Sequence, residues 1–266
     1  MAIVFAGLVP HSPLLAPNIG KEYRVQLNKT LEAYQQLAQD LKEAKPEVLV
    51  VISSHAASGV DWWNANVCLD YEIDLSAFGD LLTKGQWSGA LSLAEELQNF
   101  FGQEQVVRFY SQPYLDYGTA IPLLLFGEAL KDVKILPIGY LENKPQEQAQ
   151  FGQRLGEFLR QWPGKAAVIG SGDLAHCLGL EHPNGLQARG KKFDQKLQEA
   201  LRTNDEEAML NISKTAATET GQCAWLAYIT LQAVMKNQPG SWQNLAYEAP
   251  FGVGGAVWRW RKQEDN

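Results

Sequence analysis

The sequence predicts an α/β fold: one three-layer domain over residues 1–260, with a central mixed sheet flanked by helices on both faces. Three observations predict it. Short apolar runs alternate with segments of helical period along the chain, the pattern of a sheet covered by helices. The runs at residues 2–9, 48–53 and 165–170 are apolar almost throughout, as strands buried on both faces should be. Each of them is followed within a few residues by a histidine, at His11, His55 and His176, although the chain has only four histidines. Ligands of open α/β sheets bind outside the carboxyl ends of the strands. Scarce imidazoles placed there point to one shared site.

The elements follow in order. After the strand at 2–9, residues 21–44 carry Leu27, Leu31, Tyr34, Ala38 and Leu41 at spacings of three and four, which predicts a helix. The strand at 48–53 follows, then a weaker one at 64–71. Residues 88–101 align Leu91, Ala94 and Leu97 on one helical face. A strand is expected at 106–110. Residues 118–130 are apolar nearly all round, the mark of a buried helix. A strand at 133–139 precedes a helix at 145–162, which has Pro145 in its first turn and is stopped by Pro163-Gly164. After the strand at 165–170 come short helices at 193–202 and 205–212, then a long one at 218–236. Strands at 243–248 and 254–260 close the fold around Pro250-Phe251-Gly252, and residues 261–266 are expected to fray.

Composition narrows the function. A net charge of −7 argues against a nucleic-acid footprint, which would be basic. No apolar run approaches the ~20 residues that span a bilayer, and the apolar start lacks a basic leader segment. Neither nucleic acid nor membrane is therefore an expected partner. A homo-oligomer is compatible with the composition. Cys68, Cys177 and Cys223 form neither a disulfide framework nor a zinc-finger spacing, which suits a reducing cytoplasm. Cys177 reads as a small buried apolar residue.

Two histidines and one carboxylate on one face of a metal make the facial triad of non-haem Fe(II) oxygenases, which leaves positions open for substrate and dioxygen. His11 and His55 are the first two candidates. For the carboxylate, Glu219 at the start of the 218–236 helix, Glu248 and Asp173 all compete. His176 reads as an acid or base rather than a ligand, with Asp173 placed to orient its ring. His182 lies in a turn-rich loop and reads as structural. Gly170-Ser171-Gly172 lacks a complete phosphate-loop pattern. Trp62-Trp63 offers an aromatic wall for a planar ligand.

Five segments in order then carry a resemblance: Val9-Pro10-His11-Ser12-Pro13-Leu14-Leu15, Ile52-Ser53-Ser54-His55, Leu115-Asp116-Tyr117-Gly118-Thr119, Ser171-Gly172-Asp173-Leu174-Ala175-His176 and Tyr247-Glu248-Ala249-Pro250-Phe251-Gly252-Val253-Gly254. Together they resemble the class III extradiol ring-cleavage dioxygenases, the LigB-like superfamily, and most closely its Memo-like and AmmeMemoRadiSam-associated branch. The resemblance runs from about residue 3 to residue 258. It implies Fe(II) held by His11, His55 and Glu219, with His176 handling the substrate hydroxyl proton, and it demotes Glu248. The family commonly has Asp-His-Gly where this chain has Asp116-Tyr117-Gly118. Tyr117 can donate a hydrogen bond, but with an ordinary pKa near ~10 it is a poor base.

The expected function is thus a non-haem metal-dependent dioxygenase of extradiol type. Its partners would be a catechol-like or aminophenol-like substrate and dioxygen. A Memo-like metal-binding protein without ring cleavage is one alternative. A hydrolase using Zn(II), or another divalent metal, on the same ligands is the other.

Overall fold

The computed structural model describes residues 3–57, 59, 61–102, 104, 106–141, 144–180 and 186–263. The chain runs β1 (Ile3–Val9), α1 (Pro17–Gly20), α2 (Asn28–Ala44), β2 (Val48–Ser53), β3 (Trp63–Asn66), β4 (Asp70–Ile73), β5 (Gln86–Ser88), α3 (Leu91–Phe101), β6 (Val107–Tyr110), β7 (Tyr114–Leu115), α4 (Tyr117–Phe126), β8 (Lys134–Ile138), α5 (Pro145–Gln161), β9 (Ala166–Ser171), α6 (Leu186–Arg202), α7 (Glu206–Leu210), α8 (Lys214–Glu219), α9 (Trp225–Val234), β10 (Gly240–Glu248) and β11 (Gly255–Lys262). Short 3₁₀ turns join several of them.

Eight strands form one mixed sheet in the order β10-β11-β1-β9-β2-β8-β3-β6, and β5-β4-β7 make a small second sheet. The central four, β1, β9, β2 and β8, are parallel. Every residue of β2 and β9 is buried. Alternation then divides them between two cores. Val48, Val50, Ile52, Ala166 and Val168 pack with α3, α5, α6 and α9. Leu49, Val51, Ala167 and Ile169 pack with α2 and α4 on the other face. This is the three-layer arrangement the apolar runs imply.

Each covering helix buries the stripe its sequence offers. α2 buries Tyr34, Leu37 and Leu41, each side chain stabilising the fold by roughly 1.5–3 kcal/mol. The Tyr34 hydroxyl donates to the Pro10 carbonyl at 2.5 Å, which ties this helix to the segment just before His11. α9 is buried along its whole length, as its uniformly apolar sequence requires.

Some boundaries differ from expectation. The 21–44 segment opens as a 3₁₀ turn over Lys21–Leu27 before the α-helix begins. α6 starts at Leu186, earlier than the pattern at 193 suggests. The expected helix at 218–236 is two helices, because Gly221, with φ of 68°, turns the chain between α8 and α9. Only glycine enters that left-handed region freely. β11 continues through Arg261 and Lys262, which pair with Ser241 and Gly240, so strand pairing reaches into the segment expected to fray. Residues 264–266 and His182 lie outside the described residues.

Candidate metal centre

The parallel register builds the site. β9 lies between β1 and β2, and Ser171 pairs with both Val9 and Ser53, the last residues of its neighbours. His11, Asp173 and His55 each stand two residues beyond one of these aligned positions. Three equal offsets from three strand ends place the two imidazoles together, with ring centroids 4.8 Å apart in an edge-to-face arrangement.

His11 is 1% exposed and fully engaged. Its backbone N–H donates to Asp173 Oδ1 at 2.9 Å, and its Nδ1 lies 2.9 Å from Ser171 Oγ. The direction of that second bond can be deduced. Pro122 lies inside α4 and has no N–H, so it cannot satisfy the carbonyl four residues back, that of Gly118. Ser171 Oγ donates to this carbonyl at 2.5 Å. With its proton committed there, Ser171 accepts from Nδ1–H of a neutral His11. The lone pair is then on Nε2, which lies 3.3 Å from Cys223 Sγ.

α4 begins on Asp116, whose side chain caps it by accepting from the Thr119 backbone N–H at 3.0 Å and the Thr119 hydroxyl at 2.8 Å. Ser53 Oγ also donates to Asp116, at 2.5 Å, locking the helix start to the end of β2. Gly118 allows this approach: a Cβ there would lie 2.6 Å from Ser53 Oγ. The next residue into the site, Tyr117, stacks on His55 with centroids 4.1 Å apart, and its hydroxyl is 2.7 Å from His55 Nε2.

Cys223 enters from the turn between α8 and α9. Its backbone N–H, and that of Ala224, donate to the Asp173 carbonyl at 2.9 and 3.0 Å. The Asp173 N–H in turn lies 3.1 Å from Cys223 Sγ. One donor atom each from His11, His55 and Cys223 lie within 4.8 Å of one another, the group among the described residues able to hold a metal ion.

Electrostatics suit a cation. Burial, helped by His176, drives the His11 imidazole down to about 3. Burial and His11 together bring His55 down to about 4. Both rings are neutral at neutral pH and keep the lone pairs a metal requires. Burial, then Asp173, pushes the Cys223 thiol up to about 12, so its thiolate needs a neighbouring cation. Burial also raises Asp173 to about 6, against the lowering effect of the His11 N–H. Tyr117 is raised, chiefly by burial and then by Cys223, which makes it a hydrogen-bonding group and not a base.

His11, His55, Tyr117 and Asp173 therefore converge as the sequence suggests, while other candidates are placed elsewhere. Glu219 is not in the metal-capable group. It is the last residue of α8, exposed, and its carboxylate pairs with Arg189 at 3.1 Å. The turn at Gly221 carries Cys223, not Glu219, to the site. Asp173 bonds the His11 backbone, its Oδ2 is 3.9 Å from His11 Nε2, and His176 acts on it electrostatically. His176 is exposed at the rim, with its backbone N–H on the Thr220 carbonyl at 2.8 Å. Glu248 Oε1 accepts from the Thr30 backbone N–H at 2.8 Å. Trp63 is no ligand wall, because it is buried and stacks on Phe151 at 4.4 Å. Trp62 lies under the Arg108 guanidinium. Cys177 is buried, as its sequence reading holds. Cys223 is the residue the sequence reading missed. Its signal is a soft donor type just past a glycine, in a chain already offering two histidines.

A mixed sheet with imidazoles and a thiol gathered beyond the ends of its central parallel strands makes this an α/β protein of the open-sheet class with a candidate metal centre. The chain belongs to the LigB family: residues 6–257 match the catalytic LigB subunit of aromatic ring-opening dioxygenase. It is 25% identical over 264 residues to Protein CA_C1420 of Clostridium acetobutylicum, covering 94% of this chain and 56% of that protein. The chain thus spans little more than half the length of this curated relative. Its fold is similar to the crystal structure of uncharacterized protein JW3007 from Escherichia coli K12, with a TM-score of 0.62, 14% identity, and coverage of 96% and 99% of the two chains. No helix among the described residues is long and apolar enough to cross a membrane.

Proposed function

We propose that His11, His55 and Cys223 hold a divalent metal and that the protein is an extradiol-type oxidoreductase acting on a catechol-like or aminophenol-like ring with dioxygen. The observation that carries the metal site is the convergence of three donor atoms within 4.8 Å. Neutral imidazoles and a buried thiol that ionises only beside a cation fit such an ion. Iron accepts both imidazole and thiolate donors and supports dioxygen chemistry. When bound, it would supply a Lewis-acidic, redox-active centre where substrate oxygens and dioxygen meet.

The surrounding side chains have defined tasks in this reading. Ser171 fixes the His11 ring and its tautomer, and Asp173 anchors the His11 backbone. Tyr117 positions His55 and presents a hydroxyl to the ring of the substrate. Asp173, brought to about 6 by burial, can take a hydroxyl proton near neutrality. His176 at the rim can relay that proton to solvent. A cytoplasmic setting agrees with three unpaired cysteines.

A second reading follows from two specific residues. Cys223 stands where a carboxylate ligand is expected, and Tyr117 stands where a substrate-facing histidine is expected. Both favour a Memo-like protein that holds its metal without opening rings. One experiment separates these proposals. Protein purified without added metal is analysed for its metal content, then loaded anaerobically with Fe(II) and given a simple catechol and oxygen. Stoichiometric metal, lost in Cys223→Ser and kept in Glu219→Ala, supports the centre. A coloured ring-fission product supports the dioxygenase, and metal without product supports the Memo-like reading. Metal retained in Cys223→Ser but lost in Glu219→Ala would overturn the ligand set.

A further inference from the structure

Beside Pro10 and Ser12 is a cavity of about 210 Å³ whose described lining includes none of His11, His55 and Cys223. It lies between the start of α2 and the β10–β11 turn, and Asp173 is its only wall shared with the centre. Its size is below the ~300–1,000 Å³ of drug-sized pockets, so it suits a small ligand.

The lining has a definite chemistry. Leu14, Leu15, Leu27 and Phe251 make it largely apolar, while Glu248 and Asp173 supply two carboxyl groups. No lysine or arginine is among its described lining residues. One oxygen of Glu248 is engaged by the Thr30 backbone N–H, and none of the described residues forms an ion pair with this carboxylate. Thr30, also in the lining, is 1% exposed, and its hydroxyl has no hydrogen-bond partner. A buried hydroxyl left unpaired costs roughly 1–3 kcal/mol. An acceptor-rich apolar cavity with an unpaired hydroxyl calls for a ligand that brings N–H donors and an apolar body.

We propose that this cavity binds a small organic ammonium ion, held by Glu248 and the Thr30 hydroxyl, with its apolar part against Leu27 and Phe251. An anionic ligand would meet two carboxyl groups and no cation. The N-terminus of α2 favours negative charge, but Glu248 already answers it there. A neutral apolar ligand would leave the Thr30 hydroxyl unpaired.

The inference is independent of the metal. It is tested by titrating metal-free full-length protein with 2-phenylethylamine at neutral pH, beside its neutral counterpart 2-phenylethanol and the anion 3-phenylpropanoate. The ammonium ion should bind saturably and about tenfold or more tighter than the alcohol, the anion not at all. Glu248→Gln keeps an acceptor for the Thr30 N–H and should remove the preference for the amine. Thr30→Val, nearly isosteric, should weaken amine binding about three- to tenfold while thermal stability is kept. Equal affinity for amine and alcohol, an unchanged preference in Glu248→Gln, or no saturable binding would each overturn the proposal. The same titration in Cys223→Ser should be unaltered, so a failure of the metal assignment does not touch this result.

Discussion

His11 and His55 reach the same centre from equivalent strand ends, yet they are held in opposite ways. His11 is enclosed: Ser171 takes one ring nitrogen, Asp173 takes the backbone N–H, and 1% of the residue is exposed. His55 is half-buried: its ring stacks on Tyr117 and meets His11 edge-on, and its backbone N–H donates to Ser53 Oγ at 3.1 Å. The difference does not come from strand order, because β1 lies between β11 and β9 and β2 between β9 and β8. It comes from the partners of each ring: buried Ser171 holds His11, whereas Tyr117 at the start of α4 holds His55. One arm of the centre is thus part of the core, and the other is part of the cleft. In the proposed metal centre, one donor would be fixed and the other could respond to what binds.

The largest effect that follows is on stability and metal together. His11→Ala and His55→Ala should each abolish stoichiometric metal binding, measured by elemental analysis. Only His11→Ala should also destabilise the metal-free fold, by about 2–3 kcal/mol in a denaturant titration, because it opens a cavity and leaves the buried Ser171 hydroxyl without its ring partner, while the backbone bond to Asp173 is kept. His55→Ala should cost about 1 kcal/mol or less. Equal losses of stability would break the contrast between the arms.

The arms share one property, and the next effect depends on it. With the rings at about 3 and about 4, neither histidine competes with metal for a proton near neutrality. The Cys223 thiol, held up to about 12, must give up its proton to bind. Metal affinity should therefore rise with pH by about tenfold per unit between about pH 6 and about pH 9, with one proton released. Calorimetry in buffers of different ionisation enthalpy counts that proton. In Cys223→Asp the carboxylate is already ionised and the slope should vanish. A slope of zero in the unaltered protein would remove Cys223 from the ligand set.

These contrasts also mark what the sequence makes legible. The strands under His11, His55 and Asp173 are readable because burial on both faces forces unbroken apolar runs, and a polar residue just past such a run has to lie at the sheet's edge. The order β1-β9-β2 is not readable, because it rests on pairings between residues about 160 positions apart, such as Val9 with Ser171. Residues 218–236 read as one helix because the spacing of Trp225, Tyr228 and Leu231 marks a helix without marking where it starts, and a single glycine at 221 divides the segment. That one turn leaves Glu219 outside the group of donor atoms and brings in Cys223. Asp116 shows the reverse case. It reads as part of a catalytic motif, and in the fold it caps α4 and so sets where Tyr117 stands.

Tyr117 offers a smaller effect that sharpens the comparison. Metal-binding histidines usually donate their second ring N–H to a protein acceptor, and loss of that partner costs about 10–100-fold in affinity. Ser171 has this role for His11. If Tyr117 has it for His55, the cleft-side ring binds through Nδ1, and Tyr117→Phe should lower metal affinity within that range while leaving the His11 arm intact. Tighter binding in Tyr117→Phe would show the opposite, that the hydroxyl competes with metal for Nε2.

The smallest effect concerns Pro122, which touches no ligand. Its missing N–H leaves the Gly118 carbonyl to Ser171, and that bond sets Ser171 to accept from His11 Nδ1–H. Pro122→Ala restores the helical N–H and lets it share the carbonyl. Helix stability should increase, because proline in a helix interior is about 3 kcal/mol less favourable than alanine. Ser171 is then freer to turn its proton toward Nδ1, which moves the imidazole proton to Nε2 and blocks the donor atom. Metal affinity should fall about two- to fivefold, well below the cost of losing an outer partner outright. The two readouts move in opposite directions, which a simple packing change would not produce. Nitrogen-15 shifts of the His11 ring report the tautomer directly. A Pro122→Ala protein that is more stable, with His11 still protonated on Nδ1 and its metal affinity unchanged, would show that Ser171 holds its orientation without help from the proline.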